Sequence, residues 1–144
     1  MPEKETKERA QKLKREGKAP STQAGEFVRE EIEHVREGKH GARSTKQAIA
    51  IGLAKARRAG VKLPATEGAS KETRKQAARD IRKGQSKTKP SAKRSRAAKK
   101  ALKREGRSAA SKEALSRQAR AAAKQRSKAS RSRAAKKAAR TRKK

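Results

Sequence analysis

Lysine and arginine are dense in the second half of the chain, where they could contact phosphate groups. The octapeptide RSRAAKKA occurs twice, at 94–101 and again at 131–138. Residues 84–144 contain 24 Lys or Arg and only two Glu. Arginine donates paired hydrogen bonds to a phosphate, whereas lysine supplies a compact positive charge. The chemistry that these side chains offer is electrostatic binding of a polyanion.

Residues suited to catalysis or metal binding are few. The chain has two histidines, His34 and His40, and no cysteine. It contains neither a glycine-rich nucleotide-binding motif nor a serine in a nucleophile-elbow context. Glu30, His34 and Glu37 share one helical face, and we interpret that face as a solvated helix surface. We expect His40 to serve an interhelical turn or a phosphate contact. The sequence predicts no enzyme, no cofactor and no metal ligand.

The positive charge is unevenly distributed. The formal net charge is +32, yet residues 1–37 hold nine acidic and nine basic side chains. Residues 38–144 therefore carry the whole net charge, and a charge of this size concerns partners more than fold. The chain has one phenylalanine and no tyrosine or tryptophan, so platforms for base stacking are missing. This composition favours duplex DNA or the backbone of structured RNA.

Low hydrophobicity limits the core that the chain can build. Of its 144 residues only 30% are hydrophobic, and most of these are alanine. Such a composition excludes a large core and leaves room for a small one. The N-terminal residues lack the apolar stretch of a secretory signal, and no window is apolar enough to span a membrane. We expect the protein in the cytoplasm, at the nucleoid.

The pattern of capping residues and apolar spacing predicts an all-α fold. We predict helices over about 3–16, 22–37, 45–59 and 70–83. Ser21 or Thr22 would cap the second helix, and Gly84 would close the fourth. The third helix has the strongest signals, because Ser44 and Gln47 form a capping box at its start. Its end is marked by Gly60, followed by Val61 and Pro64, which suit a Schellman motif.

The second and third helices together predict a small αα-hairpin. Ile49, Leu53 and Ala56 would line one face of the third helix, with Ala48 and Ile51 beside it. The gross burial of so few apolar side chains is smaller than the cost of ordering about 40 residues, so the hairpin is marginal alone. It would need self-association, a further helix or the polyanion. The predicted core comprises Phe27, Val28, Ile32, Val35, Ile49, Ile51, Leu53, Val61 and Leu63.

The chain then divides into four parts. These are a charged N-terminal helix at 1–20, the helical hairpin at 21–64, a linker and third basic helix at 65–84, and a basic low-complexity tail at 85–144. Alanine, lysine and arginine are good helix formers, but the lysines and arginines repel each other. We therefore predict a tail that is largely disordered or conditionally helical, and that gains helix when DNA neutralises its charge.

The stretch ARSTKQAIAIGLAKARRAGVKLP resembles a small bacterial domain family of unknown function. Members of that family share a core like RKQAIAIALSEARKAG and are often labelled DNA-binding or plasmid-stabilisation proteins. The resemblance covers about residues 24–64, rests on QAIAIGL (47–53) and KARRAG (55–60), and supplies no catalytic residues. In composition, 89–101 and 132–144 are similar to linker-histone tails and to the Lys/Ala-rich tails of some actinobacterial nucleoid proteins.

Together these features predict non-sequence-specific DNA binding with histone-like compaction or bridging of a bacterial nucleoid, and weak self-association through the hairpin. An RNA-binding or ribosome-associated role is the first alternative, and an anionic membrane or acidic protein is the second. No small-molecule substrate is expected. The predicted nucleic-acid-binding residues are Arg57, Arg58, Arg74, Lys75, Arg94, Arg96, Lys99, Lys100, Lys103, Arg104, Arg131, Arg133, Lys136, Lys137, Arg140 and Arg142.

Overall fold

The protein is all-helical in a computed structural model, which describes residues 2–66 and 68–143. Its elements in order are α1 (Lys4–Arg15), α2 (Pro20–Arg36), α3 (Thr45–Arg58), α4 (Lys71–Gln85), α5 (Ala92–Lys103), a 3₁₀ turn (Ser108–Ala110), α6 (Lys112–Gln125) and α7 (Lys128–Arg142). The described residues contain no strand. The predicted all-α class is therefore confirmed. None of the described helices combines the length and the apolarity needed to cross a membrane.

The ends of α3 form as the sequence predicts. The Ser44 side chain accepts a hydrogen bond from the Gln47 amide at 3.2 Å and caps the first turn. At the other end Gly60 adopts a positive φ of 103°. The Val61 amide then donates to the Ala56 carbonyl at 3.0 Å, which completes the Schellman motif. Local chemistry alone thus sets both boundaries of this helix.

Two other predicted boundaries are wrong. Helix α2 begins at Pro20, with Ala19 as an N-cap that makes no side-chain hydrogen bond, so neither Ser21 nor Thr22 caps it. Proline suits the first helical position because its missing N–H would have no partner there. Gly84 lies inside α4 and does not close it. A methyl group at Gly84 would overlap the Arg57 carbonyl, so this glycine permits close packing of α4 on α3.

Helices α2 and α3 form the predicted hairpin, but a different face of α3 is buried. The buried residues of α3 are Thr45, Ala48, Gly52 and Ala56. A methyl group at Gly52 would lie 2.6 Å from the Val28 Cα, so the two backbones approach closely and only small side chains fit between them. The larger Ile49, Ile51 and Leu53 are displaced to the flanks, where they are half-buried.

The core consists of two small clusters on this hairpin. Of the predicted core residues, Phe27, Ile32, Val35 and Val61 are buried, whereas Val28, Leu53 and Leu63 pack partly buried at the edges. One cluster contains Ala10, Ala24, Phe27, Ala56 and Val61. The other contains Ile32, Val35, Ala42, Ala48, Ala109 and Ala110. Most of the buried positions are alanines, so the packing depends on short distances between backbones.

Neighbouring helices supply the support that the hairpin needs. Helix α1 packs on α2, and α4 packs on α3. Ala77 of α4 is buried at the second contact, beside an ion pair in which Arg58 Nε lies 2.9 Å from Asp80 Oδ1. The carboxylate of Asp80 is almost completely buried. The third basic helix therefore docks on the hairpin and extends its core.

The prediction of a largely disordered tail is not supported, because 92–142 fold mainly into three helices. Each of these helices begins at a serine N-cap. The side chains of Ser91, Ser111 and Ser127 accept hydrogen bonds from the amides of Arg94, Ala114 and Ser130 respectively. Serine caps and the high helix propensity of alanine, lysine and arginine favour helix locally, and this preference outweighs repulsion between the charges.

The tail also completes the core of the hairpin. Ala109 and Ala110 of the 3₁₀ turn are buried in the cluster around Val35. Thr45 Oγ1 donates to the Ala109 carbonyl at 2.6 Å, and Arg36 Nε donates to the Ala110 carbonyl at 2.9 Å. These bonds join residues more than 60 positions apart in sequence. The segment after α5 therefore packs into the head, as we call residues 1–84, which precede the tail.

Gly41 is the position where this long-range contact is tightest. Its amide donates to the Leu102 carbonyl at 2.8 Å, and a methyl group on its Cα would overlap the Glu105 carbonyl. We expect Gly41→Ala to lower the free energy of unfolding by about 1–3 kcal/mol, because backbone must move to relieve the overlap. Thermal unfolding followed by circular dichroism measures the change.

The matched control for this variant is Gly25→Ala on α2. Gly25 is exposed and has nothing within 4 Å of an added Cβ. Since alanine is the better helix former, this variant should gain about 0.5–1 kcal/mol. Equal stabilities for the two variants would contradict the packing of the 102–106 segment against Gly41.

Candidate nucleic-acid interface

The clearest cationic surface in the tail is one face of α5, formed by Arg96, Lys99, Lys100 and Lys103. These residues follow an i, i+3, i+4, i+7 spacing and are all exposed. On an α-helix such positions fall within an arc of about 100° and extend over roughly 10 Å along the axis. We call this set the α5 basic face. A duplex carries about six phosphate charges over that length, so each of the four cations could meet a phosphate.

Helix α7 presents the same arrangement a second time. Arg133, Lys136, Lys137 and Arg140 are exposed and have the same relative spacing, because both helices contain RSRAAKKA. We call this set the α7 basic face. The other predicted contact residues of these helices lie off the two faces, at the following exposed positions: Arg94 and Arg104 for α5, and Arg131 and Arg142 for α7.

The cations of the tail have no carboxylate partner among the residues that the structure describes. Among residues 2–66 and 68–143, no salt bridge involves a side chain of α5, α6 or α7. The only acidic side chains after Asp80 are Glu105 and Glu113, and both are exposed. Helices α1 and α2 differ, since four ion pairs between Lys or Arg and Glu lie within or between them. An external polyanion would therefore meet unpaired charges on the tail.

The predicted contact residues outside the tail have different surroundings. Arg74 and Lys75 are exposed on α4, whose buried residues are Ala77 and Asp80. Arg57 Nε donates to the Leu63 carbonyl at 2.6 Å. Arg57 and Arg58 thus hold the structure together, Arg58 through its ion pair with Asp80.

Sequence reasoning missed the cations of α6. Arg117, Arg120 and Lys124 are exposed and lie at i, i+3 and i+7, so they share one face of that helix. Arg117 lines a shallow groove between α6 and the start of α3, where Lys46 also lies. The helical spacing of the cations in 112–125 is the signal that identifies this face. The segment lacks the octapeptide that is repeated in α5 and α7.

The interpretation of Glu30 and His34 as a solvated helix surface is wrong. The Glu30 carboxylate is only 3% exposed, and its Oε1 accepts a hydrogen bond from the Glu3 amide at 2.9 Å. His34 Nε2 lies 3.7 Å from Glu30 Oε1 and 3.1 Å from Glu3 Oε1. The segment before α1 covers this part of α2, and local sequence gives no sign of that contact.

Two ionisable side chains near His34, those of Glu3 and Lys39, have shifted pKa values. A hydrogen bond from His34, followed by one from Lys39, holds the pKa of Glu3 below its usual value. Hydrogen bonds to Glu37 and to Glu3 raise the pKa of Lys39. Both Glu3 and Lys39 are thus held in their charged forms.

A second buried carboxylate lies next to the first. Glu31 is 1% exposed, with Oε1 at 2.7 Å from His40 Nε2 and Oε2 at 2.6 Å from Lys55 Nζ. The other ring nitrogen of His40 lies 2.9 Å from the Gly41 carbonyl. His40 therefore orders the turn between α2 and α3, in keeping with one of its two predicted roles. These contacts join the two helices of the hairpin through charge as well as packing.

Comparison with known proteins extends only to the hairpin. Residues 21–67, about one third of the chain, match a family of unknown function (DUF6496). This match agrees with the predicted resemblance to a small domain of unknown function and covers α2, α3 and the segment that follows. No curated protein and no solved structure matches the chain. The tail lies outside the matched residues.

Proposed function

We propose that this protein binds duplex DNA without sequence specificity and compacts or bridges DNA in a bacterial nucleoid. The observation that carries the proposal is the duplicated basic face, present on α5 and again on α7. Each face presents four exposed cations without a carboxylate partner among the described residues. Such surfaces suit a regular array of phosphates.

The proposed mechanism is release of counterions from the DNA. Duplex DNA carries one charge per about 1.7 Å and a condensed layer of cations. Each phosphate that a lysine or arginine neutralises frees counterions, which gives a slope of about −0.9 per contact in log K against log salt. The contacts read no bases, since phosphates and sugars carry no sequence information directly.

Two features support duplex DNA over single-stranded nucleic acid. Binding of single strands and recognition of RNA loops rely on exposed aromatic side chains that stack on bases. The chain has no tryptophan or tyrosine, and its one phenylalanine, Phe27, is 1% exposed and belongs to the core. The basic faces are helical surfaces with a regular spacing of charges, which match the regular backbone of a duplex better than a flexible strand.

Bridging requires two sites that act on different duplexes. The α5 and α7 faces lie on separate helices with α6 between them in sequence, and residues 131–143 are exposed throughout. When DNA is limiting both faces would bind one duplex, and with DNA in excess each face would hold its own duplex, so that one molecule bridges two. Two linked sites raise the effective concentration for the second contact and hold duplexes together.

The proposal predicts a steep salt dependence and retention of a second duplex. With about eight phosphate contacts, log K should fall with log salt at a slope near −7. Gel shifts between 50 and 300 mM salt measure the slope, and pull-down of a fluorescent duplex by a biotinylated one measures bridging. Structured RNA of equal length serves as the competitor. A slope shallower than about −2, or displacement by RNA at a lower concentration than DNA, would reject the proposal.

A cellular measurement separates the two kinds of nucleic acid. Crosslinking followed by sequencing of the bound nucleic acid should recover genomic DNA without a dominant sequence motif. Predominant ribosomal RNA would instead support the RNA-binding alternative. This experiment uses the full chain and is independent of any variant.

A further inference from the structure

The N-terminal part of the chain contains an arrangement of side chains suited to a divalent metal ion. The donor atoms of Glu3, Glu30 and His34 lie within 4.8 Å of one another, where the segment before α1 crosses α2. We propose that these three side chains bind a divalent transition-metal ion of the zinc class, which ties the N-terminal segment to the hairpin. The inference is independent of DNA binding, since it concerns none of the tail residues.

The spacing of the donor atoms fits one small ion. His34 Nε2 lies 3.1 Å from Glu3 Oε1 and 3.7 Å from Glu30 Oε1. Zinc bonds to nitrogen and oxygen are about 2.0–2.2 Å long, so two ligands of a tetrahedral ion lie about 3.4 Å apart. An ion would therefore enter with small rotations of the side chains, and a water molecule would complete the four-coordinate shell.

Glu30 gives an independent reason to expect a ligand. Its carboxylate is 3% exposed, and no hydrogen-bond donor among the described residues reaches Oε2. A buried carboxylate oxygen without a partner costs free energy that a bound cation would recover. Among the described residues, Oε1 accepts a hydrogen bond from the Glu3 amide alone, at 2.9 Å.

The local charge favours a cation, although the whole chain is strongly basic. The carboxylates of Glu3, Glu30, Glu31 and Glu37 gather around two ammonium groups and two imidazoles. With neutral imidazoles this leaves two negative charges, which a divalent ion would balance. Residues 1–37 carry no net charge, so this segment does not add to the repulsion that the tail exerts on a cation.

A neighbouring set of donors is less suitable. Glu31, His34 and His40 also lie within 4.8 Å of one another. However, Glu31 already contacts His40 through one oxygen at 2.7 Å and Lys55 through the other at 2.6 Å. An ion there would displace both of these shorter contacts, whereas Oε2 of Glu30 has no hydrogen-bond donor among the described residues, so we assign the site to the first set.

Titration of the metal-free full-length chain with Zn²⁺ tests the assignment. Calorimetry at pH 7 should show one Zn²⁺ per chain, and excess Zn²⁺ should raise the melting temperature by roughly 5–10 °C. We expect Glu30→Gln and His34→Ala to weaken binding by at least about 100-fold. Glu33→Gln is the matched control, because Glu33 lies on the same helix and pairs with Arg29 on the surface. It should bind as the natural chain does.

Two surface variants keep the test decisive if the buried ones fold poorly. Lys39 Nζ lies 3.3 Å from Glu3 Oε1, where it competes with the ion, so Lys39→Gln should bind Zn²⁺ more tightly. His40→Ala should leave the affinity unchanged. Absence of Zn²⁺ binding by the natural chain, or unchanged binding by folded His34→Ala, overturns the proposal. Loss in His40→Ala with retention in Glu30→Gln overturns the choice of ligands.

Discussion

Replacing Arg133, Lys136, Lys137 and Arg140 together with glutamine is expected to weaken DNA binding by up to about 10³-fold at 0.15 M salt. Each lost phosphate contact removes about 0.9 from the log–log salt slope, so the four-residue variant should be shallower by up to about 3.6. Glutamine is nearly as good a helix former as lysine and arginine, so α7 itself should persist. Gel shifts at several salt concentrations measure both quantities.

The opposite face of α7 provides a matched control. Ala134, Ala135, Ala138 and Ala139 are exposed and lie across the helix axis from the basic face. Changing these four alanines to glutamine introduces the same number of amides and keeps every charge. This control should retain the salt slope of the natural chain. An equal loss of affinity in both variants would show that DNA binding depends on the structure of α7 rather than on its cations.

The repeated octapeptide allows the same prediction to be tested on α5. The corresponding variant of α5, with Arg96, Lys99, Lys100 and Lys103 changed to glutamine, presents the same loss in the same geometry. The two variants should therefore have similar slopes and both should lose the second duplex in a bridging assay. If the α5 variant alone loses affinity, α7 is not part of the binding surface and the bridging mechanism fails.

Local signals were sufficient to predict much of the fold. The capping box at Ser44 and the glycine at Gly60 set the ends of α3, and the apolar spacing of Phe27, Ile32 and Val35 identifies the buried side of α2. These features depend on residues a few positions apart. The all-α class follows directly from them, as does the hairpin of α2 and α3.

Contacts that join distant segments could not be predicted in the same way. The tail is rich in alanine, and nothing in its composition distinguishes Ala109 and Ala110, which are buried, from the exposed alanines of α5. The burial of the small-residue face of α3 also depends on contacts between distant segments. Hydropathy favours Ile49 and Leu53 for the core, but the close approach of Val28 to Gly52 requires small side chains there.

The ionic contacts of Glu3, Glu30 and His34 depend on distant segments, whereas the basic faces depend on local spacing. Glu3 meets His34 across 31 positions, so local spacing places Glu30 and His34 on a surface that the N-terminal segment in fact covers. The basic faces depend only on spacing within one helix, and their residues were found from the sequence. The prediction of a largely disordered or conditionally helical tail rests on repulsion between cations, whereas the serine N-caps of α5, α6 and α7 favour helix locally.

Phe27→Ala is expected to produce the largest loss of stability and little change in the electrostatics of DNA binding. Phe27 is 1% exposed and packs among Ala10, Ala24, Ala56 and Val61. Truncating a buried phenylalanine costs about 3–5 kcal/mol, against a total of about 5–15 kcal/mol for a typical domain. Urea unfolding should show the loss. Ile51→Ala, at a half-buried position, is the control and should cost no more than about 1–2 kcal/mol.

The same variant distinguishes the contribution of the head from that of the tail. The basic faces lie on α5 and α7, outside the cluster that contains Phe27. If binding is electrostatic, Phe27→Ala should keep the salt slope of the natural chain even where the head is partly unfolded. A slope that falls in proportion to the unfolded fraction would mean that the hairpin itself contacts DNA. The 21–67 segment would then contribute directly to DNA binding.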